Sequence, residues 1–230
     1  MRALRAFFPA VLFFAAANGA GAADMCGPAG AAALIASDPV NFRDAYYDFD
    51  VRARAFIGAF DPEDAARLEG EMRAERYGFL HEGAEDLLAR LAVLLPMSTG
   101  EGEKSPAAFL EEQLYAGEVW DQSDDPKEIQ RTAFARELLA VAPDAGRKAG
   151  QFVVHLDMAR SLLAAHAADE ESETDRGALV QLAPALEKSY KEGFRPVVKE
   201  AVFASRPARL DARLAARIEA MCEARRAEGQ

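Results

Sequence analysis

The residues best suited to binding a metal or moving a proton near neutral pH are three histidines, His81, His155 and His166. Apolar residues at helical spacing predict a helix over about 145–168. On this helix His155 and His166 lie within ~20° of each other but ~16 Å apart along the axis. They therefore cannot share one metal ion. We expect all three histidines at the edge of the core, and we expect no metal site and no cofactor.

Catalytic motifs are incomplete or absent. His81-Glu82 begins like a zinc-protease helix motif, but Glu85 stands where the second histidine is needed. The sequence contains no nucleophile elbow, no phosphate-binding loop and no dinucleotide glycine fingerprint. The carboxylates are too numerous to single out a catalytic pair.

A short acidic segment resembles the start of a calcium loop, with Asp121, Ser123 and Asp125 at alternate positions. Pro126 occupies the position that needs glycine, and Thr132 the one that needs a bidentate glutamate. We therefore expect no calcium site there.

Two features suit recognition rather than catalysis. Trp120, the single tryptophan, lies in a polar acidic stretch, where its ring could anchor a partner or fold back onto the core. The final predicted helix carries Arg209, Arg213 and Arg217 at four-residue spacing on its polar side, flanked by Arg206. Like charges at four-residue spacing repel unless they are compensated. The acidic stretch 61–137 or plain solvation would answer these charges, or an external anionic ligand would bind to them.

The two cysteines, Cys26 and Cys222, are 196 residues apart, unlike the close pairs of redox enzymes. In an oxidising compartment, two thiols in one chain favour one structural disulfide. We therefore predict a Cys26–Cys222 bond, which requires their Cα atoms to lie within about 7 Å.

The first residues have the order of an export signal. Arg2 and Arg5 precede the apolar run 6–17, and small residues follow around Ala22. The run is too short to cross a bilayer core of ~30 Å. We predict a cleaved signal peptide over 1–22, and export to the periplasm or the extracellular space.

The charge of the chain limits its partners. Removing residues 1–22 takes away two arginines and changes the net charge from −11 to −13. This excess repels nucleic acid and anionic lipid surfaces and suits a basic protein partner. No later run is long and apolar enough for a membrane span in the mature chain.

Helix signals recur along residues 23–230, which we predict to form one all-α domain, an irregular multi-helix bundle. An acid or hydroxyl residue before proline marks several helix starts. Helices are expected over about 39–59 and 62–80, and Gly78 and Gly83 bracket the end of the second. A leucine-rich helix is expected to follow and to end at Leu95. Further helices are expected over about 106–116, 126–141, 145–168, 176–193, 197–204 and 207–227. On the helix from 62, Met72 and Phe79 are expected to face inward. Pro184 is expected to kink or break its helix.

The sequence favours a non-enzymatic binding or protein-interaction domain of the cell envelope. The alternative is an enzyme or metal-binding protein whose site combines scattered carboxylates and histidines. No local motif supports this alternative.

Overall fold

The computed structural model describes residue 26 and residues 39–96, 113–119, 126–168, 173–205 and 207–228, without the side chains of 126, 173–175, 207–211, 213, 214 and 217. Within this part, regular structure is entirely helical, which confirms the predicted all-α fold. The helices are α1 (Phe42–Ala59), α2 (Pro62–Arg67), α3 (Gly70–Leu94), α4 (Pro126–Val141), α5 (Ala145–Ala167), α6 (Glu173–Lys188), α7 (Arg195–Ala204) and α8 (Pro207–Glu228). A π-helical segment, Ser189–Phe194, joins α6 to α7. None of the helices described is long and apolar enough to cross a membrane.

The first helices begin at side-chain caps. Asn41 accepts a hydrogen bond from the backbone N–H of Asp44 at the start of α1. Asp61 accepts from the N–H of Asp64 at 2.9 Å, with Pro62 at the first helical position. Apolar residues at three- and four-residue spacing in this stretch predict one buried face, and the structure confirms it, because all its members are buried: Phe42, Tyr46, Phe49, Ala53, Phe56 and Phe60.

The break between α2 and α3 differs from the prediction. The chain was expected to end a helix between Gly78 and Gly83, but α3 runs through both. The break lies instead just before Gly70, whose φ of 52° is in the left-handed region that favours glycine. Gly83 serves packing, since a Cβ there would lie 2.9 Å from the ring of Phe56.

A second difference lies around the prolines of the last third. The helix continues through Pro184, where a kink or break was expected, and has no break at that residue. It departs from α geometry at the π-helical segment, where the N–H of Arg195 donates to the carbonyl of Tyr190 five residues earlier. Pro196 follows directly. It has no N–H to donate, and the wider turn before it accommodates its ring.

The main core is formed by buried residues that lie between Phe42 and Val202 in the sequence. Among the described helices, α3 and α5 pack against each other most extensively. Aromatic rings from three elements meet at the centre of this core. The ring of Phe194 lies 4.9 Å from that of Phe152 and 5.2 Å from that of Phe49, measured between centroids. Gly193 permits this approach, since a Cβ there would lie 3.0 Å from a backbone oxygen of α5.

Helix α8 belongs to a separate, smaller cluster, in which Ile218 and Cys222 pack against Ile129 and Ala133 of α4. Cys222 is bonded to Cys26, with 5.4 Å between their Cα atoms, which confirms the predicted disulfide. The bond therefore fastens Cys26 to α8, which packs on α4 through this smaller cluster.

Candidate functional site

The three histidines lie at separate places. His81 Nδ1 is 3.2 Å from the carbonyl oxygen of Arg160, a link between α3 and α5. His166 was expected at the edge of the core, but it is buried and stacked on Tyr77, with 4.8 Å between ring centroids. In the described part of the chain, no three histidine, cysteine or acidic side chains are grouped so that they could hold a metal ion.

Among the described histidine contacts, that of His155 resembles a catalytic pair, since its Nδ1 is 2.9 Å from Ser189 Oγ. The Ser189 hydroxyl also lies 3.0 Å from the carbonyl oxygen of Leu186, to which it can donate. In that arrangement the Ser189 oxygen accepts from His155, which is the reverse of what a serine nucleophile needs. Burial lowers the pKa of His155, which suits a neutral ring linking α5 to the π-helical segment.

The other candidate residues fall outside the described part of the chain. They are Trp120, the segment of Asp121, Ser123 and Asp125, Arg206, and the side chains of Arg209, Arg213 and Arg217, although the backbone of α8 is described. The predicted signal peptide, residues 1–22, also lies outside it.

Asp50 on α1 is a buried acid with several charged and polar partners among the described residues. Its carboxylate accepts from the hydroxyl of Tyr190 at 2.6 Å and from Nε of Arg195 at 2.8 Å. Tyr190 lies in the π-helical segment, and Arg195 is the first residue of α7. Arg54, one turn along α1, approaches the second carboxylate oxygen at 3.1 Å. The carboxylate thus fixes α1 against the π-helical segment and the start of α7.

The ionisation of this cluster follows from its contacts. Burial disfavours the charged form of Asp50, but the hydrogen bonds from Tyr190 and Arg195 outweigh burial and lower its pKa below the ordinary value. Burial, together with donation to the Asp50 carboxylate, raises the pKa of Tyr190. Asp50 is ionised and Tyr190 is protonated near neutral pH. With every partner engaged, the cluster is suited to holding helices in register.

One exposed surface has the composition of a recognition site. We call it the acidic α3 face, defined by Glu71, Met72, Glu75, Phe79 and Glu82. Met72 is 60% exposed and Phe79 is 59% exposed, the two highest values among the large apolar side chains described. They are seven residues apart, two helical turns, and therefore lie above one another about 10 Å apart.

The carboxylates of the acidic α3 face have no salt-bridge partner in the part of the chain that the structure describes. Within the described residues, Glu71, Glu75 and Glu82 form no ion pair. Two neighbouring arginines donate to backbone oxygens at 2.8 Å, Arg73 to Leu68 and Arg76 to Ala59. Among the described residues, Met72 and Phe79 are therefore bordered by three carboxylates without a salt bridge and by one cation, Arg76, whose guanidinium lies 5.6 Å from the centre of the Phe79 ring.

Sequence analysis missed this face because it placed Met72 and Phe79 inward. The inward side of α3 is instead set by Tyr77, Leu80 and Ala84, which are fully buried. One signal in the sequence pointed to the outward position: Met72 and Phe79 recur with Glu75 and Glu82 in the same seven-residue spacing. A helix places such a repeat on one continuous face.

The chain matches no protein-family profile, and neither the curated proteins nor the solved structures contain a significant match to it.

Proposed function

We propose that the mature chain is an exported, non-enzymatic protein-interaction domain of the cell envelope, and that it binds a basic partner through the acidic α3 face. The observation that carries this proposal is the exposure of Met72 and Phe79 between carboxylates that form no ion pair within the described residues. Apolar anchors surrounded by charge are typical of protein interfaces.

The spacing of the face favours a helical partner. An amphipathic helix binds another helix through apolar anchors about two turns apart, with charged residues beside them. Met72 and Phe79 supply the anchors, and Glu75 and Glu82 supply the flanking charge. Lysine or arginine beside the apolar stripe of the partner would complete the pairing.

The overall charge supports the same partner class. A net charge of −11 attracts a basic protein from a distance and repels nucleic acid. Export is supported by the signal-like N-terminus and is compatible with the disulfide, since such bonds persist in oxidising compartments.

The test uses a synthetic amphipathic peptide with leucine at helical spacing flanked by lysine, and a matched peptide with glutamate in place of lysine. Fluorescence anisotropy should show that the mature protein binds the lysine peptide, and more weakly as salt is raised. Phe79→Ala and Glu75→Lys should each weaken binding about tenfold. Met158→Ala and Glu219→Lys, exposed positions on other helices, are the controls for an apolar truncation and for the change in net charge.

Equal binding by Phe79→Ala and the unaltered protein would refute the role of the face.

Export has a separate test. N-terminal sequencing of the protein from its native cell should begin at Ala23, whereas an intact Met1 in the oxidised protein would contradict signal cleavage.

A further inference from the structure

A second exposed surface, of opposite charge, lies where α1 meets α7. We call it the basic aromatic strip, defined by Arg43, Tyr47, Lys199 and Phe203. Tyr47 is 51% exposed and Phe203 is 45% exposed, and their rings meet edge to face with 6.2 Å between centroids. The guanidinium of Arg43 lies 5.6 Å from the centre of the Phe203 ring.

The two cations of the strip have no salt bridge among the residues that the structure describes. Both Arg43 and Lys199 are exposed, and neither forms an ion pair with any residue that the structure describes. Lys199 precedes Phe203 by one helical turn, as Arg43 precedes Tyr47, so each helix contributes one cation and one aromatic ring to the same surface. On a chain of net charge −11, the strip itself carries two positive charges and no negative one.

The strip is held in place by the buried cluster described above. Asp50 of α1 accepts hydrogen bonds from Tyr190 and Arg195, and these bonds fix the distance and register between the two helices. The rings of Tyr47 and Phe203 are therefore positioned before any partner arrives, which lowers the entropy lost on binding.

We infer that the basic aromatic strip binds an acidic segment of a protein partner, with apolar side chains against the rings and carboxylates against Arg43 and Lys199. This site is independent of the acidic α3 face. It would let one molecule hold two partners of opposite charge.

Other occupants fit the surface less well. A flat anionic membrane would also meet the exposed acids Asp44 and Glu200, which lie ~60° around their helices from the rings. A peptide lying along the strip avoids them. A symmetric contact with a second copy would bring the cations of one strip against those of the other.

The experiment uses the same two peptides with the mature, oxidised protein. The glutamate peptide should bind, with an affinity that falls as salt is raised. Tyr47→Ala, Phe203→Ala and Lys199→Glu should each weaken this binding about tenfold. Lys188→Glu, an exposed lysine on α6, should not. Circular dichroism should show that each variant keeps its helix content, since the altered side chains are exposed.

A double dissociation separates this inference from the proposed function. Phe79→Ala should leave the glutamate peptide bound, and Phe203→Ala should leave the lysine peptide bound. Three results would each overturn the inference. The first is that the glutamate peptide does not bind, or that it binds the strip variants as well as the unaltered protein. The second is that phosphatidylglycerol vesicles bind in a Lys199-dependent way while the glutamate peptide does not bind. The third is that the chain self-associates and that Phe203→Ala abolishes this self-association.

Discussion

Replacement of Asp50 by asparagine tests the physical account of the buried cluster. Asparagine keeps the size of the side chain and can still accept hydrogen bonds, but it removes the negative charge. A hydrogen bond to a charged group contributes about 1.5–3 kcal/mol, against about 0.5–1.5 kcal/mol for a neutral one. The bond from buried Tyr190 should lose about 1 kcal/mol. Those from Arg195 and Arg54 should lose about half as much each, because their side chains are 42% and 53% exposed and remain hydrated.

We therefore expect Asp50→Asn to lower the free energy of unfolding by about 2 kcal/mol near neutral pH. Urea denaturation with the disulfide intact, followed by far-ultraviolet circular dichroism, measures this change. Asp48→Asn is the matched control, since Asp48 lies on the same helix but is exposed, and its loss should cost less than about 1 kcal/mol. A loss below about 0.5 kcal/mol for Asp50→Asn would show that the cluster does not fasten α1 to α7.

The pH dependence gives the same experiment a second readout. The folded-state pKa of Asp50 is lowered, so its contribution to stability is present above the unfolded value of about 3.9 and is lost as pH falls through the folded value. The stability difference between the unaltered protein and Asp50→Asn should therefore shrink on acidification below about pH 4. A difference that stayed constant down to acid unfolding would contradict the assigned ionisation.

Three further predictions concern other parts of the fold. Gly146→Ala should cost about 1–3 kcal/mol in urea unfolding, because its Cβ would overlap a neighbouring backbone oxygen, whereas Gly78→Ala meets open space and should be neutral or stabilising. Joint replacement of Cys26 and Cys222 by serine should cost about 2–5 kcal/mol; an unchanged urea midpoint would refute this. The folded-state pKa of His155 is lowered, so its neutral form stabilises the fold above about pH 6.5 and this contribution declines below it. His155→Gln should remove that decline from the pH profile of stability.

The sequence was sufficient where local pattern and tertiary packing agree. On α1 the apolar spacing and the buried face coincide, because the helix is amphipathic and packs on one side only. The Cys26–Cys222 bond was also predictable, since no other cysteine competes for either sulfur.

The rest depends on contacts between distant residues. Asp50 had no sequence signal as a buried acid, because its partners Tyr190 and Arg195 lie 140 and 145 residues away. Met72 and Phe79 were wrongly placed inward, since the pattern of α3 allows two apolar faces and only packing against α5 decides between them. The basic aromatic strip combines two helices whose contact no local spacing reveals.

The Cys26–Cys222 bond also has a consequence for the synthesis of the protein. Its two sulfurs are separated by 196 residues, so the bond can form only after nearly all of the chain has been made and α8 has reached α4. In a chain that stops early, or whose last helix fails to dock, Cys26 has no Cys222 within bonding distance and stays unpaired within its own chain. The Cys26–Cys222 bond is therefore present only in molecules whose chain is complete and whose last helix has docked. The free or bonded state of Cys26 Sγ would let a thiol-dependent quality-control system distinguish finished from unfinished copies.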